Sequence, residues 1–233
     1  MQDYPIALCA LNLGFAPASP AVFAAHIEGK MLEAARQGAR LILFPEYAIE
    51  AALAWKPDGL PATEEMAFLA GAGAELLELL RSLPARHGVS LLCGSMPIAR
   101  EDGHTNTAVL LTADGREIRQ DKLSLTPGEQ DEESWQLTPG TTLKTFELDG
   151  LRMAILICLD VEMPALSCLL APEKLDLLLV PSMTEKLSGY HRVFGCAKAR
   201  AVELMTAVAV CGTVGAAMGT TQMLTNVSGT SLF

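Results

Sequence analysis

Three side chains in this sequence are of the types that together carry out nucleophilic acyl chemistry: the thiol of Cys158, the carboxylate of Glu46 and the amine of Lys122. Cys158 closes the apolar run Met153-Ala-Ile-Leu-Ile157 and precedes Leu159-Asp160-Val-Glu162-Met-Pro164, an acidic turn leading into a helix start. A cysteine in mid-strand is usually a small core hydrophobe. At a strand's carboxyl end it faces the crevice where open α/β sheets bind ligands. Glu46 similarly follows Arg40-Leu-Ile-Leu-Phe44-Pro45, where the proline removes the next ladder donor and leaves the carboxylate at the rim. Taken singly, Glu46 reads as a solvated charge and Lys122, in Gln120-Asp121-Lys122-Leu-Ser-Leu125, as a surface lysine. A lysine held beside a carboxylate and a thiol would keep its charge, lower the thiol's pKa and stabilise an oxyanion.

Bringing the three together falls to the elements around them. Strand-like runs occur at Ile6–Leu11, Arg40–Phe44, Ser90–Cys93, Ala108–Thr112, Leu143–Leu148, Met153–Ile157, Leu175–Val180 and Ala207–Cys211. Helical spacing predicts helices over Pro20–Gln37, with Ser19 as cap and Pro20 at its first position, over Thr63–His87, and over Tyr190–Met205. The order is β-α-β-α-β, a middle group of strands, then β-α-β-α-β. That pattern predicts an α/β fold of two sheets packed face to face with helices outside. No linker divides the chain, so residues 1–233 are expected to form a single domain.

Composition narrows the classes. A formal charge of −10 argues against phosphate backbones and anionic lipid surfaces, so neither nucleic acid nor membrane is an expected partner. The six cysteines are scattered without a CxxC pair, which fits a reducing cytoplasm. The start, through Asp3 and a short apolar run, lacks the basic region of an export signal and is expected to enter the first strand. The uncharged stretch after Glu203 is interrupted by Gly212, Gly215 and Gly219 and reads as a buried strand plus loop, not a membrane span. Asn226-Val-Ser228 matches a glycosylation acceptor but lacks a secreted context. None of His26, His87, His104 and His191 stands in a catalytic context, and neither they nor the cysteines show metal-ligand spacing, so no metal and no organic cofactor is expected.

Taken in order, Phe44-Pro45-Glu46, Asp121-Lys122-Leu-x-Leu and Ile157-Cys158-Leu159-Asp160 resemble the three motifs of the nitrilase superfamily of carbon–nitrogen hydrolases. The likeness continues through Val161-Glu162-Met163-Pro164, Leu178-Leu-Val-Pro181-Ser182 and Ala199-Arg200-Ala201-Val202-Glu203. Glu129, Trp135, Thr138-Pro139-Gly140, Gly189-Tyr190 and Gly212-Thr213-Val214-Gly215 resemble a less characterised branch whose members can be fused to an acetyltransferase-like domain. The resemblance implies a four-layer α-β-β-α sandwich. The end of the sequence leaves open whether the usual C-terminal strands are present. It also implies a homodimer or higher homo-oligomer formed through helices of the outer layer. Leu159 stands where relatives commonly carry an aromatic, and Met163 and Ala165 replace the usual residues beside the proline, changes that would reshape the pocket.

The chemistry implied is amide hydrolysis through a Cys158 thioester. Glu46 is the base, while Lys122 and the backbone N–H of Leu159 hold the oxyanion; the second glutamate of the family maps to Glu129, which would orient Lys122 or the substrate. Tyr190 and His191 are expected near the substrate, Asp160 and Glu162 are expected to brace the turn, and Arg200 with Glu203 to form a structural ion pair. Glu129, Glu162 and Glu185 would suit an amine-bearing substrate or simply be solvated. Nitrile hydrolysis or acyl transfer would use the same nucleophile. The rival from another class is a noncatalytic ligand-binding homologue on the same fold.

Overall fold

The computed structural model describes residues 3–221 and 224–233. Two five-stranded mixed sheets form the centre. The first has the order β1 (Ile6–Leu8), β2 (Leu41–Leu43), β3 (Ser90–Arg100), β4 (Gly103–Leu111) and β5 (Glu117–Asp121). Its first three strands are parallel and β3, β4 and β5 run antiparallel. The second begins at its edge with β6 (Thr145–Leu148), paired antiparallel to β7 (Leu151–Ile155); β7, β8 (Leu177–Ser182) and β9 (Ala207–Gly212) are parallel, and β10 (Thr230–Leu232) closes the other edge antiparallel to β9.

Period-two alternation explains how the layers stack. On the first sheet Leu41, Leu43, Leu92, Ala108 and Leu110 join the cluster shared with Ala154, Leu178, Val180 and Val210 of the second sheet. Their neighbours Ile42, Leu91, Val109 and Leu111 belong instead to the cluster built with α1 (Pro20–Arg36) and α2 (Glu65–Leu80). Helix α1 turns Phe23, Ile27, Met31 and Ala34 inward at helical spacing, and the Ser19 hydroxyl accepts from the Val22 N–H at 3.3 Å, as the cap reading expected. The sandwich is therefore helices, sheet, sheet, helices.

Three expectations need correction. The helix expected over Thr63–His87 breaks into α2 and α3 (Leu83–His87), because Pro84 has no N–H for the turn before it and its ring would clash with the carbonyl four residues back. The last helix, α6 (Leu187–Leu204), starts three residues before Tyr190. Strand β3 runs on to Arg100 through a register shift between Leu92 and Ser95, well past Cys93. The helix start expected at Pro164 is α5 (Pro164–Leu170), whereas the short helix α4 (Pro127–Gln130) and strands β5 and β10 lie outside the expected segments. Of the first segment, Met1 and Gln2 lie outside the described residues. Among the described residues no helix is long and apolar enough to cross a membrane.

Candidate active site

Each sheet delivers its residue through a loop that another part of the fold holds in place. After β2 the chain turns through Pro45-Glu46-Tyr47, with Tyr47 in the left-handed region at φ 50°. This turn rests on the β3 bulge: the Tyr47 N–H donates to Ser95 Oγ at 3.2 Å, and Gly94 approaches so closely that a Cβ there would lie 2.0 Å from the Pro45 carbonyl oxygen. Gly94 also sits at φ 78°, a conformation that glycine adopts without strain. Lys122 follows the last residue of β5; its N–H donates to the Asn106 carbonyl at 2.8 Å and its carbonyl accepts from Gly140 at 2.7 Å.

Cys158 opens a 3₁₀ turn (Cys158–Glu162) just beyond β7 and occupies the left-handed region at φ 47°, which costs about 1–3 kcal/mol for a residue with a Cβ. Asp160, fully buried, holds that turn by accepting from the Ile157, Leu123 and Ser124 N–H groups at 2.7–3.2 Å. One carboxylate thus ties the Lys122 loop to the cysteine turn. Arg200, buried on α6, donates from Nε to the Val161 carbonyl at 3.0 Å and also pairs with Glu203. It is more than the surface pair the spacing suggested.

These supports bring four charged or nucleophilic side chains into one buried cluster. Lys122 Nζ donates to Glu46 Oε1 at 2.7 Å and to Glu129 Oε2 at 2.7 Å. Glu129 is held further by the Thr126 N–H (2.8 Å), the Thr126 hydroxyl (3.1 Å) and the Tyr47 hydroxyl (2.8 Å). Asn106 Nδ2 donates to both carboxylates at 2.9 Å. The Cys158 thiol donates to the Met183 carbonyl at 3.3 Å. Glu46, Lys122 and Glu129 are each 1–2% exposed and Cys158 is 5% exposed.

Burial dominates the proton affinities. It pushes Glu46 above the ordinary carboxylate value, with the Lys122 charge pulling back and the Glu129 charge adding to the rise. Glu129 falls below its usual value because the Lys122 ammonium and the Thr126 and Asn106 donors outweigh its own burial. Lys122 is likewise desolvated, but two carboxylates beside it keep it firmly charged. Burial, then the Glu46 charge, drives Cys158 well above its usual range, and the pull of Lys122 does not overcome them. The expected acidification of the thiol by the lysine is therefore outweighed: the resting group is a thiol that needs a base.

Cys158 lies on a cavity of about 400 Å³ lined by Leu159, Met183, Thr184, Ser188, Gly189 and Val193, with Glu162, Glu185, Lys186 and Arg192 also facing it. Glu162 pairs with Arg192 at 3.0 Å. The Leu159 N–H, second in its 3₁₀ turn, has no acceptor among the described residues. Tyr190 does not line this cavity; its ring packs on Phe194 with centroids 4.4 Å apart and lies edge-on to His191, because α6 turns that position toward the core cluster. Among the described residues no cluster of three or more His, Cys, Asp or Glu side chains is placed to hold a metal. Tyr47 and Asn106 were not singled out from the sequence. Their signals were adjacency to Glu46 and an amide inside an otherwise apolar strand run, Thr105-Asn-Thr-Ala-Val-Leu-Leu111.

Residues 6–233 match the carbon-nitrogen hydrolase family model, and the chain belongs to that family. Curated relatives include the probable hydrolase YhcX of Bacillus subtilis (strain 168), 33% identical over 141 residues, or 60% of this chain and 27% of that protein. The chloroplastic omega-amidase of Arabidopsis thaliana is 27% identical over 192 residues, 80% of this chain and 51% of that protein. The chain thus spans about a quarter to a half of the length of these relatives. Among solved structures, the NitN amidase of Nesterenkonia sp. AN1 is 24% identical and superposes with a TM-score of 0.72 over 99% of this chain and 84% of that one. A mutant of that amidase in complex with butyramide is 23% identical, with a TM-score of 0.71 over 98% and 82% of the two chains. These likenesses show that the two flanked sheets are the nitrilase-type α/β fold.

Proposed function

We propose that this chain hydrolyses the C–N bond of a small, non-peptide carboxamide through a thioester on Cys158. The observation that carries the reading is the placement of Lys122: its ammonium has three donors, two are fixed on Glu46 and Glu129, and among the described residues the third has no acceptor, in a cluster whose charge acts on the Cys158 thiol. On attack, Sγ bonds the carbonyl carbon and the thiol proton passes to Glu46. The oxyanion is then held by the third Lys122 N–H and by the Leu159 N–H. Collapse breaks the C–N bond, with Glu46 returning its proton to the departing ammonia or amine. Glu46 next draws a proton from water, whose oxygen bonds the thioester carbon; collapse then breaks the C–S bond, releasing the carboxylic acid, and Glu46 returns its proton to the Cys158 sulfur to restore the thiol.

Relatives support the amide as substrate: one is an omega-amidase, and a mutant of the structurally similar amidase carries the acetamide moiety of fluoroacetamide at its active-site cysteine. The six free cysteines suit the cytoplasmic placement that accompanies this reading. The reading is tested by incubating the protein with a panel of small amides and nitriles and measuring ammonia. Ammonia released from amides by the parent and not by Cys158→Ala supports it. Release only from nitriles replaces amidase with nitrilase chemistry, and no turnover across the panel favours the binding homologue.

A further inference from the structure

Asn106 occupies a place that packing alone does not explain. It lies in β4, is fully buried, and spends both protons of its amide on carboxylates, one on Glu46 Oε1 and one on Glu129 Oε1, each at 2.9 Å. Its own Oδ1 is buried without a partner among the described residues. A buried acceptor left unpaired loses its hydration without compensation. The amide could not recover this by flipping, because Oδ1 would then face two carboxylates. The backbone of the same residue accepts the Lys122 N–H. Among the described residues, Asn106 is therefore the one hydrogen-bonded to Glu46, Lys122 and Glu129 together.

The distribution of donors assigns the two oxygens of Glu46 different tasks. Oε1 receives both Lys122 Nζ and Asn106 Nδ2. With that oxygen doubly occupied, Oε2 accepts no hydrogen bond among the described residues. A second lysine in place of the amide would balance the charge of two carboxylates but would neutralise the pair completely. The amide supplies directed donors without charge, so the cluster keeps two carboxylates against one ammonium.

We propose that Asn106 is a positioning residue that locks Glu46 and Glu129 in common register around Lys122 and so fixes Glu46 Oε2 as the base toward Cys158. The inference rests on the amidase reading of the same site. In Asn106→Ala, Glu46 loses one donor and holds its proton more tightly. In the near-isosteric Asn106→Asp a third carboxylate faces the pair and the effect is larger. The acidic limb of kcat/KM is expected to move to higher pH in the order parent, Asn106→Ala, Asn106→Asp. At the parent's optimum kcat should fall at least tenfold, with KM changing less than about twofold. Folded variants that lose activity without moving the limb, or that keep the parent's profile, would overturn the proposal and leave Asn106 a packing residue.

A measurement on the unaltered site covers the case in which the variants fail to fold. With asparagine selectively ¹⁵N-labelled, only Asn12, Asn106 and Asn226 contribute side-chain NH₂ signals, assignable by substituting the other two. The Asn106 pair should exchange slowly with solvent and shift as the carboxylate cluster titrates. Rapid exchange, or signals indifferent to pH, would contradict the lock. This readout needs no turnover, so a protein that releases no ammonia from any amide would end the amidase reading while leaving the contact itself judged separately.

Discussion

Burial decides the protonation of this site more than any single ion pair. Glu46 must be ionised to take the thiol proton, and burial sets its pKa above 4.5, so kcat/KM is expected to fall with decreasing pH through a limb above the ordinary carboxylate range. A pH–rate profile checks this. Replacing Lys122 with Met would leave Glu46 and Glu129 facing each other unneutralised, which should cost about 3–5 kcal/mol in chemical denaturation as well as abolishing turnover. Glu50 makes a separate prediction. It is fully buried, neither carboxylate oxygen has a partner among the described residues, and burial followed by the Glu65 and Glu46 charges pushes its pKa up to about 8. Below about 4.5 folded and unfolded chains both hold the proton. Between 4.5 and about 8 only the folded chain does, so stability falls with rising pH, and above 8 the loss is complete. Glu50→Gln should gain stability relative to the parent across that window by about 1 kcal/mol per pH unit, then level off, as read from denaturation midpoints. Cys158 and Glu46 were legible in the sequence as reactive types at the ends of apolar runs, whereas Lys122 reads alone as a surface lysine and is joined to them only by the resemblance of its motif. Asn106 was not legible, since its role depends on two carboxylates that arrive from distant loops.

Among the elements, β3 positions chemistry to which it contributes no reacting group. Its bulge at Gly94 and Ser95 seats the Glu46 turn. Gly94→Ala should therefore lower stability by about 1–3 kcal/mol from its backbone conformation alone, with the clash against Pro45 adding to that. The same change should reduce kcat by displacing Glu46, and steady-state kinetics beside a thermal melt would separate the two losses. The bulge escaped the sequence reading because Gly94-Ser95-Met-Pro97 resembles the end of a strand, whereas the pairing continues to Arg100 beyond it. Strand β5, which carries Lys122 at its end, was missed for another reason. Glu117-Ile-Arg-Gln-Asp121 is almost wholly polar; it lies at a sheet edge, held by its ladder with β4 and by Ile118 packed on the core, and carries no apolar alternation. The parallel strands were legible because both of their faces are covered, giving continuous apolar runs.

At the scale of the molecule, the site exists because two sheets present their loops at one place. Asp160 links those loops across the sandwich, so Asp160→Ala should free the Leu123 and Ser124 N–H groups and lower activity even where Cys158 and Lys122 are retained. The two-sheet arrangement followed from the order of strands and helices, but which loops meet did not, because that depends on register and on contacts between distant residues. The homodimer proposed from the family resemblance would use the outer helical layer, where α6 leaves Val202 and Met205 exposed. Sedimentation equilibrium should return twice the chain mass, and a monomer mass at all concentrations would contradict it.

Whether Cys158 carries the acyl group is tested most directly by acid quenching during turnover of an amide from which the protein releases ammonia, followed by peptide mass mapping. The acyl group of that amide is expected on the peptide containing Cys158, removed by hydroxylamine and absent in Cys158→Ala. Ammonia released with no such adduct, or released equally by Cys158→Ala, would contradict a thioester on Cys158.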